Sequence, residues 1–312
     1  MDYNSLPEEI YIKIFSHISP MDIQSLTLTC NYFNRIISNS MKLLKHYEIC
    51  IDSQSINKLT NLGDRKYSRF KLNGPIDNKM LENIFEKFKN SMQVIQFDQM
   101  KVDEDLLVKI LSFCDNLKQI SFSKFELLDF ETSEENLQLP TFDIKNFIII
   151  SSDLTVLKLF RSSKIKNLYI RDSKFSNWTI LNDITNFENL TIFKPENSRF
   201  VSSFSNITIQ NVKKLRLINI NFKKSLIPFD VETLNIDKLI LEYVNNCADF
   251  LIKILQKDST KLKLLRSIGI AYDGIACNVV KKNCHKVENV ESSFKIPLTK
   301  LVAFGNTTLL KD

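Results

Sequence analysis

An apolar spacing recurs along the chain from about residue 67 and constrains the fold more than any other feature. The first, fourth and sixth residues of a short window are apolar, as in Leu117, Ile120 and Phe122. Such a window predicts a strand with one buried face. The windows begin at Tyr67, Met92, Leu117, Ile144, Leu154, Ile165, Phe187, Val212, Ile236, Leu265 and Leu298. Several lie roughly 20–29 residues apart, which is typical of stacked repeats, and a further strand is expected around Val287 and Val290.

Amphipathic helices are predicted between some of these windows. Apolar residues follow a helical period at 80–88, 106–114 and 250–255. This alternation of strands and helices resembles degenerate leucine-rich repeats over most of residues 67–306. The resemblance implies an α/β solenoid in which parallel strands line the concave face and the helices and loops lie outside. An irregular α/β array is the alternative.

A second feature precedes the repeats, in the stretch Leu6–Ile37. It predicts three short helices. Pro7 opens the first, Ser19 precedes a proline at the start of the second, and Asn31 is expected to cap the third. One face of the first helix is apolar and carries Ile10, Ile14, Phe15 and Ile18. Three helices of about ten residues cannot bury this much apolar surface among themselves, so something else must cover the remainder.

This stretch resembles the F-box. The resemblance rests on Leu6, Pro7, Glu9, Ile10, Ile14, Phe15, Pro20, Asp22, Ile23, Cys30 and Phe33. Phe33 stands where many members of the family have tryptophan. The resemblance implies that the stretch docks on the Skp-type adaptor of a cullin–RING ubiquitin ligase. The adaptor-binding residues that it implies are Leu6, Pro7, Ile10, Ile14, Phe15, Asp22, Leu26, Cys30 and Phe33. Internal packing is the alternative role for Ile14 and Cys30, and helix capping for Asp22.

The sequence contains no recognisable catalytic or metal-binding arrangement. The three histidines, His17, His46 and His285, accompany no nucleophile motif, and a chain with 5 glycines is not expected to form a phosphate-binding loop. Cys277, Cys284 and His285 form a tight cluster, but no second pair lies at zinc-finger spacing, so we expect core thiols. We therefore expect a non-enzymatic protein with no cofactor and no metal.

Composition and charge limit the class of partner. The chain has 312 residues and 44% hydrophobic residues, which is typical of a soluble globular protein. The opening MDYNSLPEE lacks the basic and apolar regions of a secretory signal, and no apolar run approaches the roughly 20 residues that span a bilayer. We therefore expect a cytoplasmic and/or nuclear protein that does not bind membranes. The net charge of +6 is spread along the chain, which argues against a nucleic-acid partner.

The concave strand face is the second candidate binding surface. Its candidate residues are Lys158, Phe160, Arg161, Tyr169, Arg171, Phe193, Lys214 and Arg216, with Asp172, Lys238 and Glu242 beside them. Arg161, Arg171 and Arg216 suggest a site for an acidic or phosphorylated segment of a target protein, because arginine makes bidentate contacts with such groups. Ordinary solvated strand residues would give the same pattern.

These features predict an F-box at residues 1–45, a connecting segment at 46–66 and a repeat domain at 67–312. We expect the substrate-recognition subunit of a Skp–cullin–F-box (SCF) ubiquitin ligase, in which the repeats hold an unknown protein substrate. The alternative is a non-degradative interaction module that recruits no cullin. A nucleic-acid-binding module is a third hypothesis.

Overall fold

A computed structural model gives the fold in two compact units, Met1–Phe142 and Asp143–Asp312. The structure describes residues 6–55, 65–128, 140–173, 178–182, 184, 187–193, 212–220, 222, 229–257, 262–269, 282, 287–292 and 307–308. The two units are described in turn.

The first unit begins with four helices. They are α1 (Glu8–Phe15), α2 (Pro20–Thr27), α3 (Asn31–Asn39) and α4 (Met41–Leu44). The start of α2 is as predicted, since the Ser19 hydroxyl accepts the backbone N–H of Asp22 at 3.2 Å. The start of α3 differs from the prediction. Cys30 is its N-cap, with Sγ accepting the N–H of Phe33 at 3.4 Å, and Asn31 lies inside the helix.

A parallel sheet follows in the first unit. Its strands are β1 (Glu48–Ile51), β2 (Arg69–Asn73), β3 (Val94–Asp98) and β5 (Gln119–Ser123), adjacent in this order. Helices α5 (Asn78–Phe88) and α6 (Glu104–Ser112) connect successive strands, and the short β4 (Lys101–Asp103) and β6 (Glu126–Leu128) pair with each other. Strand β1 pairs with β2, so the sheet begins within the segment that the sequence suggested as a connection.

The buried face of this sheet carries the apolar windows, as predicted. Phe70, Phe97 and Phe122 are fully buried. The Phe97 ring stacks on Phe122 at 5.2 Å between centroids and on Phe85 of α5 at 6.3 Å. The helices therefore cover this face, and the residues that alternate with the buried ones form what we call the outward face.

The second unit repeats this arrangement with more strands. They are β7 (Asp143–Ile150), β8 (Lys164–Arg171), β9 (Phe187–Phe193), β10 (Lys214–Ile218), β11 (Lys238–Glu242), β12 (Leu264–Ile268), β13 (Asn289–Ser292) and β14 (Thr307–Thr308), parallel and adjacent in chain order. Two 3₁₀ helices, Leu154–Phe160 and Trp178–Asn182, and α7 (Ala248–Gln256) lie between strands. The predicted strand around Val287 and Val290 is confirmed by β13.

Two predicted windows are wrong and one lies beyond the described residues. The window at Leu154 is not a strand but the 3₁₀ helix, because it is the crossover from β7 to β8, and parallel neighbours need a connection of about a dozen residues. The window at Leu265 is shifted by three residues. Leu265 pairs with Leu239 in the sheet, so Ser267 takes the buried position that Ile270 was expected to fill. The window at Leu298 falls where the structure describes nothing.

A left-handed residue follows most of the strands directly. The backbone φ is positive at Gly74, Gln99, Lys124, Ser151, Asp172, Asn219, Tyr243 and Gly269. Several of their N–H groups donate to the last carbonyl of the next strand, as Gln99 does to Ser123 at 2.8 Å and Tyr243 to Ile268 at 2.8 Å. These bonds extend the sheet one step past each strand end, so we call the set the left-handed column.

Candidate functional site

Helix α1 presents two unlike apolar faces. Tyr11 and Phe15 are buried, whereas Leu6, Ile10 and Ile14 are 42%, 42% and 47% exposed. The spacing of four residues places the three exposed side chains along one side of the helix and its N-terminal approach, and we call them the aliphatic stripe. Ile14 therefore does not have the internal packing role that the sequence left open.

An aromatic cluster holds the buried face of α1 against α3. Phe15 meets Phe33 edge-on at 5.3 Å between centroids, and Tyr11 lies 5.5 Å from Phe33 and 5.7 Å from Tyr32. Burial raises the pKa of the Tyr11 phenol, and Tyr32 and Cys30 add to the effect. Phe15 is buried here and does not present its side chain at the surface of the described helices. Its role is to position the helix that carries the stripe.

Two further motif residues stabilise the starts of helices. The Asp22 carboxylate accepts the Ser19 hydroxyl at 2.7 Å, and the Cys30 thiol caps α3. The side chains of Asp22 and Cys30 are exposed. Leu26, which lies between them in the sequence, is half-buried. Sequence reasoning missed Leu28, which is 85% exposed where α2 ends. No periodic pattern marks Leu28, because it lies at the C-cap rather than on a helix face.

Polar contacts fix these helices to each other and to the sheet. Arg35 donates to Glu8 at 3.1 Å and lies over the Tyr32 ring at 5.2 Å, which joins α3 to the start of α1. Arg65 donates to Asn34 at 3.1 Å, immediately before the chain enters β2. The stripe is therefore carried by helices that are attached to the repeat region within the first unit.

Comparison with known families identifies the helical region. Residues 3–49 match the family model of the F-box-like domain. This region is an F-box-like domain. No curated protein matches the chain. The F-box-like domain indicates an adaptor-binding role in SCF-type complexes. It contains four of the five large hydrophobic side chains that are exposed among the described residues, with Tyr243 as the fifth.

The second candidate surface is smaller than predicted. Lys158 and Phe160 lie in the 3₁₀ helix and Arg161 caps its end, so they are not on a strand face. Phe160 is also buried edge-on against Phe147 at 4.8 Å, which excludes it from binding a target in this structure. The remaining candidates occupy adjacent strands on the outward face, namely Tyr169, Arg171, Phe193, Lys214 and Arg216.

The two predicted arginines that do lie on this face are already paired with carboxylates. Nε of Arg171 lies 3.1 Å from Asp172, and its guanidinium lies 5.2 Å from the centre of the Phe193 ring. Nη2 of Arg216 donates to both carboxylate oxygens of Glu242, at 3.1 and 2.9 Å. The predicted column of free arginine charge is therefore not present, because Arg161 lies elsewhere and the other two have partners.

An asparagine ladder on the same face was not predicted. Nδ2 of Asn189 donates to Oδ1 of Asn167 at 2.8 Å, and Nδ2 of Asn167 donates to Oδ1 of Asn146 at 2.9 Å. Asn167 also donates to the Lys145 carbonyl at 3.0 Å. The ladder links three neighbouring strands. Asn146, Asn167 and Asn189 are each the third residue of an apolar window, and this repetition was the signal available in the sequence.

The described residues contain no group of three or more side chains suited to a metal ion, and none of their helices is both long and apolar enough to cross a membrane. Cys277, Cys284 and His285 fall outside the residues whose positions are given. Burial raises the pKa of the Cys114 and Cys247 thiols to about 12. These two thiols remain protonated near neutral pH, as expected of core cysteines.

Proposed function

We propose that the chain is the substrate-recognition subunit of an SCF ubiquitin ligase. The aliphatic stripe of the F-box-like domain binds a Skp-type adaptor, and the repeats hold a target protein for ubiquitin transfer by other subunits. The observation that carries the proposal is the exposure of Leu6, Ile10 and Ile14 within a region that matches the F-box-like family. Exposed apolar side chains grouped on one helix are typical of a protein interface.

A single charge in the stripe tests the adaptor contact. Ile14→Asp buries a carboxylate in the proposed interface. It should lower the affinity of the full chain for a Skp-type adaptor by about a hundredfold or more, as measured by calorimetry. Ser16→Asp is the matched control, since it adds the same charge at an exposed position off the stripe. Equal affinity for both variants would refute the interface.

Cullin recruitment separates this proposal from a non-degradative interaction module. Co-purification of the adaptor together with a cullin supports a ligase subunit. Co-purification of the adaptor alone supports the module. The receptor would act by proximity in the first case, since it holds a target near a conjugating enzyme and supplies no catalytic group itself.

A further inference from the structure

The outward face of the second unit has an apolar row near the carboxyl ends of its strands. Strand register aligns Ile150, Arg171, Phe193, Ile218, Glu242 and Ile268 across β7–β12. We call the four apolar members the apolar strip, namely Ile150, Phe193, Ile218 and Ile268. Ile218 is buried, and the other three are half-buried. The corresponding row of the first unit is polar and consists of Asn73, Asp98 and Ser123. The repeat itself therefore does not require apolar residues here.

Tyr243 extends the strip past the end of β11. It is 58% exposed and has a φ of 54°, which is rare for a bulky residue. The ring lies over Gly269, where an added Cβ would come within 2.4 Å of Tyr243 Cδ1. A glycine at 269 therefore makes room for the ring. The other members of the left-handed column share this positive φ, so it is the exposed ring rather than the backbone that points to a contact site.

Two lysines of this face lie nearer the amino ends of the strands than Arg171 and Arg216 do. Lys214 and Lys238 are neighbours in the β10–β11 register, and neither makes an ion pair with a described residue. Arg171 and Arg216 are held by Asp172 and Glu242. The two lysines thus provide a positive site on the same face as the apolar strip, four residues along the strands from it, or roughly 13 Å at about 3.3 Å per residue. Lysine attracts carboxylates as a point charge without bidentate geometry.

We infer that this face binds an extended protein segment whose apolar side chains cover the strip and Tyr243 and whose carboxylates face Lys214 and Lys238. This inference rests on the proposed function and names the chemistry of its target. A phosphorylated segment is a poorer fit, because the arginines that would bind phosphate bidentately already have partners. The apolar contact supplies most of the affinity, and the lysines select the charge and direction of the segment.

A displayed library of random peptides, panned on the full chain bound to its adaptor, tests the charge. The wild type should enrich peptides that combine aromatic or aliphatic residues with Asp or Glu. Lys214→Glu/Lys238→Glu should lower the affinity of those peptides by about tenfold or more and remove the acidic bias from a new selection. Lys79→Glu/Lys89→Glu, at exposed positions near the two ends of α5, changes the net charge equally and should leave both results unchanged.

Tyr243 is tested with the same selected peptides. Tyr243→Asn keeps a residue that tolerates positive φ, as Asn219 shows, and should weaken binding by about tenfold. Tyr243→Phe keeps the ring and should weaken it by less than about threefold. Equal affinity of Tyr243→Asn and the wild type would overturn the role given to this side chain.

Three results would overturn the inference as a whole. The first is selection of basic or purely polar peptides. The second is that the acidic peptides bind Lys214→Glu/Lys238→Glu as well as they bind the wild type. The third is that the lysines bind random RNA, with a steep salt dependence, and no peptide is selected. Adaptor binding is measured on each preparation. If the wild type does not bind the adaptor, the proposed function is refuted. If it binds the adaptor but gives any of the three results above, only this inference is refuted.

Discussion

The two units have similar buried faces and different outward faces. Phe97 in β3 and Phe147 in β7 are both fully buried beneath the crossing segments. On the outward side, Lys71 pairs with Asp98 at 3.0 Å in the first unit, whereas the second unit carries the apolar strip and the asparagine ladder. The same backbone repeat thus supports a polar surface in one unit and a mixed surface, with an apolar strip at one edge, in the other.

This difference separates the residues that specify the fold from those free to serve a function. A parallel strand covered by helices needs apolar residues on its buried face, and both units meet that requirement. Water can solvate the outward face, so nothing in the fold requires Phe193 or Ile268 there. Apolar residues at such positions therefore indicate a binding surface. The polar outward face of the first unit shows what the same repeat looks like without them.

The largest predicted effect on stability tests whether the buried faces of the two units are equally well packed. Phe97→Ala and Phe147→Ala should each lower the free energy of unfolding by about 3–5 kcal/mol, because each leaves a cavity in a close-packed layer. Denaturant unfolding followed by circular dichroism measures both. Gln96→Ala, the outward neighbour of Phe97, should change stability by less than about 0.5 kcal/mol. A small effect at either phenylalanine would contradict the shared core.

The asparagine ladder should give the next largest effect. Asn167→Ala removes hydrogen bonds to Asn146, Asn189 and the Lys145 carbonyl, and should destabilise the chain by about 1–3 kcal/mol. Gln96 of the first unit makes a single exposed bond to Glu48, at 3.1 Å, so Gln96→Ala is again the reference. Equal costs at Asn167 and Gln96 would mean that the ladder does not stabilise the strand register of the second unit.

The sequence predicted the periodic parts of the molecule well. Buried windows such as Ile95 and Phe97 follow directly from spacing, and the helix start at Ser19 follows from its capping pattern. The F-box-like domain was recognisable because its motif is continuous. Its exposed and buried residues were not separable, because Ile14 and Phe15 are adjacent apolar residues in the sequence and only the packing of α1 leaves the first exposed and buries the second.

Contacts between repeats could not be predicted from spacing. Arg216 and Glu242 are 26 residues apart, and only the strand register brings them together. Ser267 fills an apolar position of β12, which displaced the predicted window. The left-handed column has no shared residue type, because its conformation is imposed by hydrogen bonds to the next strand rather than by its own side chains.

Substitutions in the left-handed column should have moderate and opposite effects in the two units. Lys124→Gly in the first unit should stabilise the chain by about 0.5–1 kcal/mol, because glycine adopts positive φ without strain. Gly269→Ala in the second unit should destabilise it by about 1–2 kcal/mol, since it adds strain and displaces the Tyr243 ring. Thermal unfolding measures both, and a change of the same sign would contradict the assigned conformations.

The ion pairs of the outward faces should give the smallest difference in stability between the two units. Their dependence on pH distinguishes the lysine pair of the first unit from the arginine pair of the second. The hydrogen bond from Lys71 to Asp98 raises the pKa of Lys71. Its stabilisation, about 0.2–1 kcal/mol for such a half-exposed pair, is complete below the ordinary lysine pKa near 10.4 and is lost as pH rises through the raised value. The stability difference between wild type and Lys71→Met should therefore stay constant up to about pH 10 and shrink as pH rises further. The difference for Glu242→Gln should stay constant over the same range, because its partner is an arginine, a residue type that is always charged in proteins.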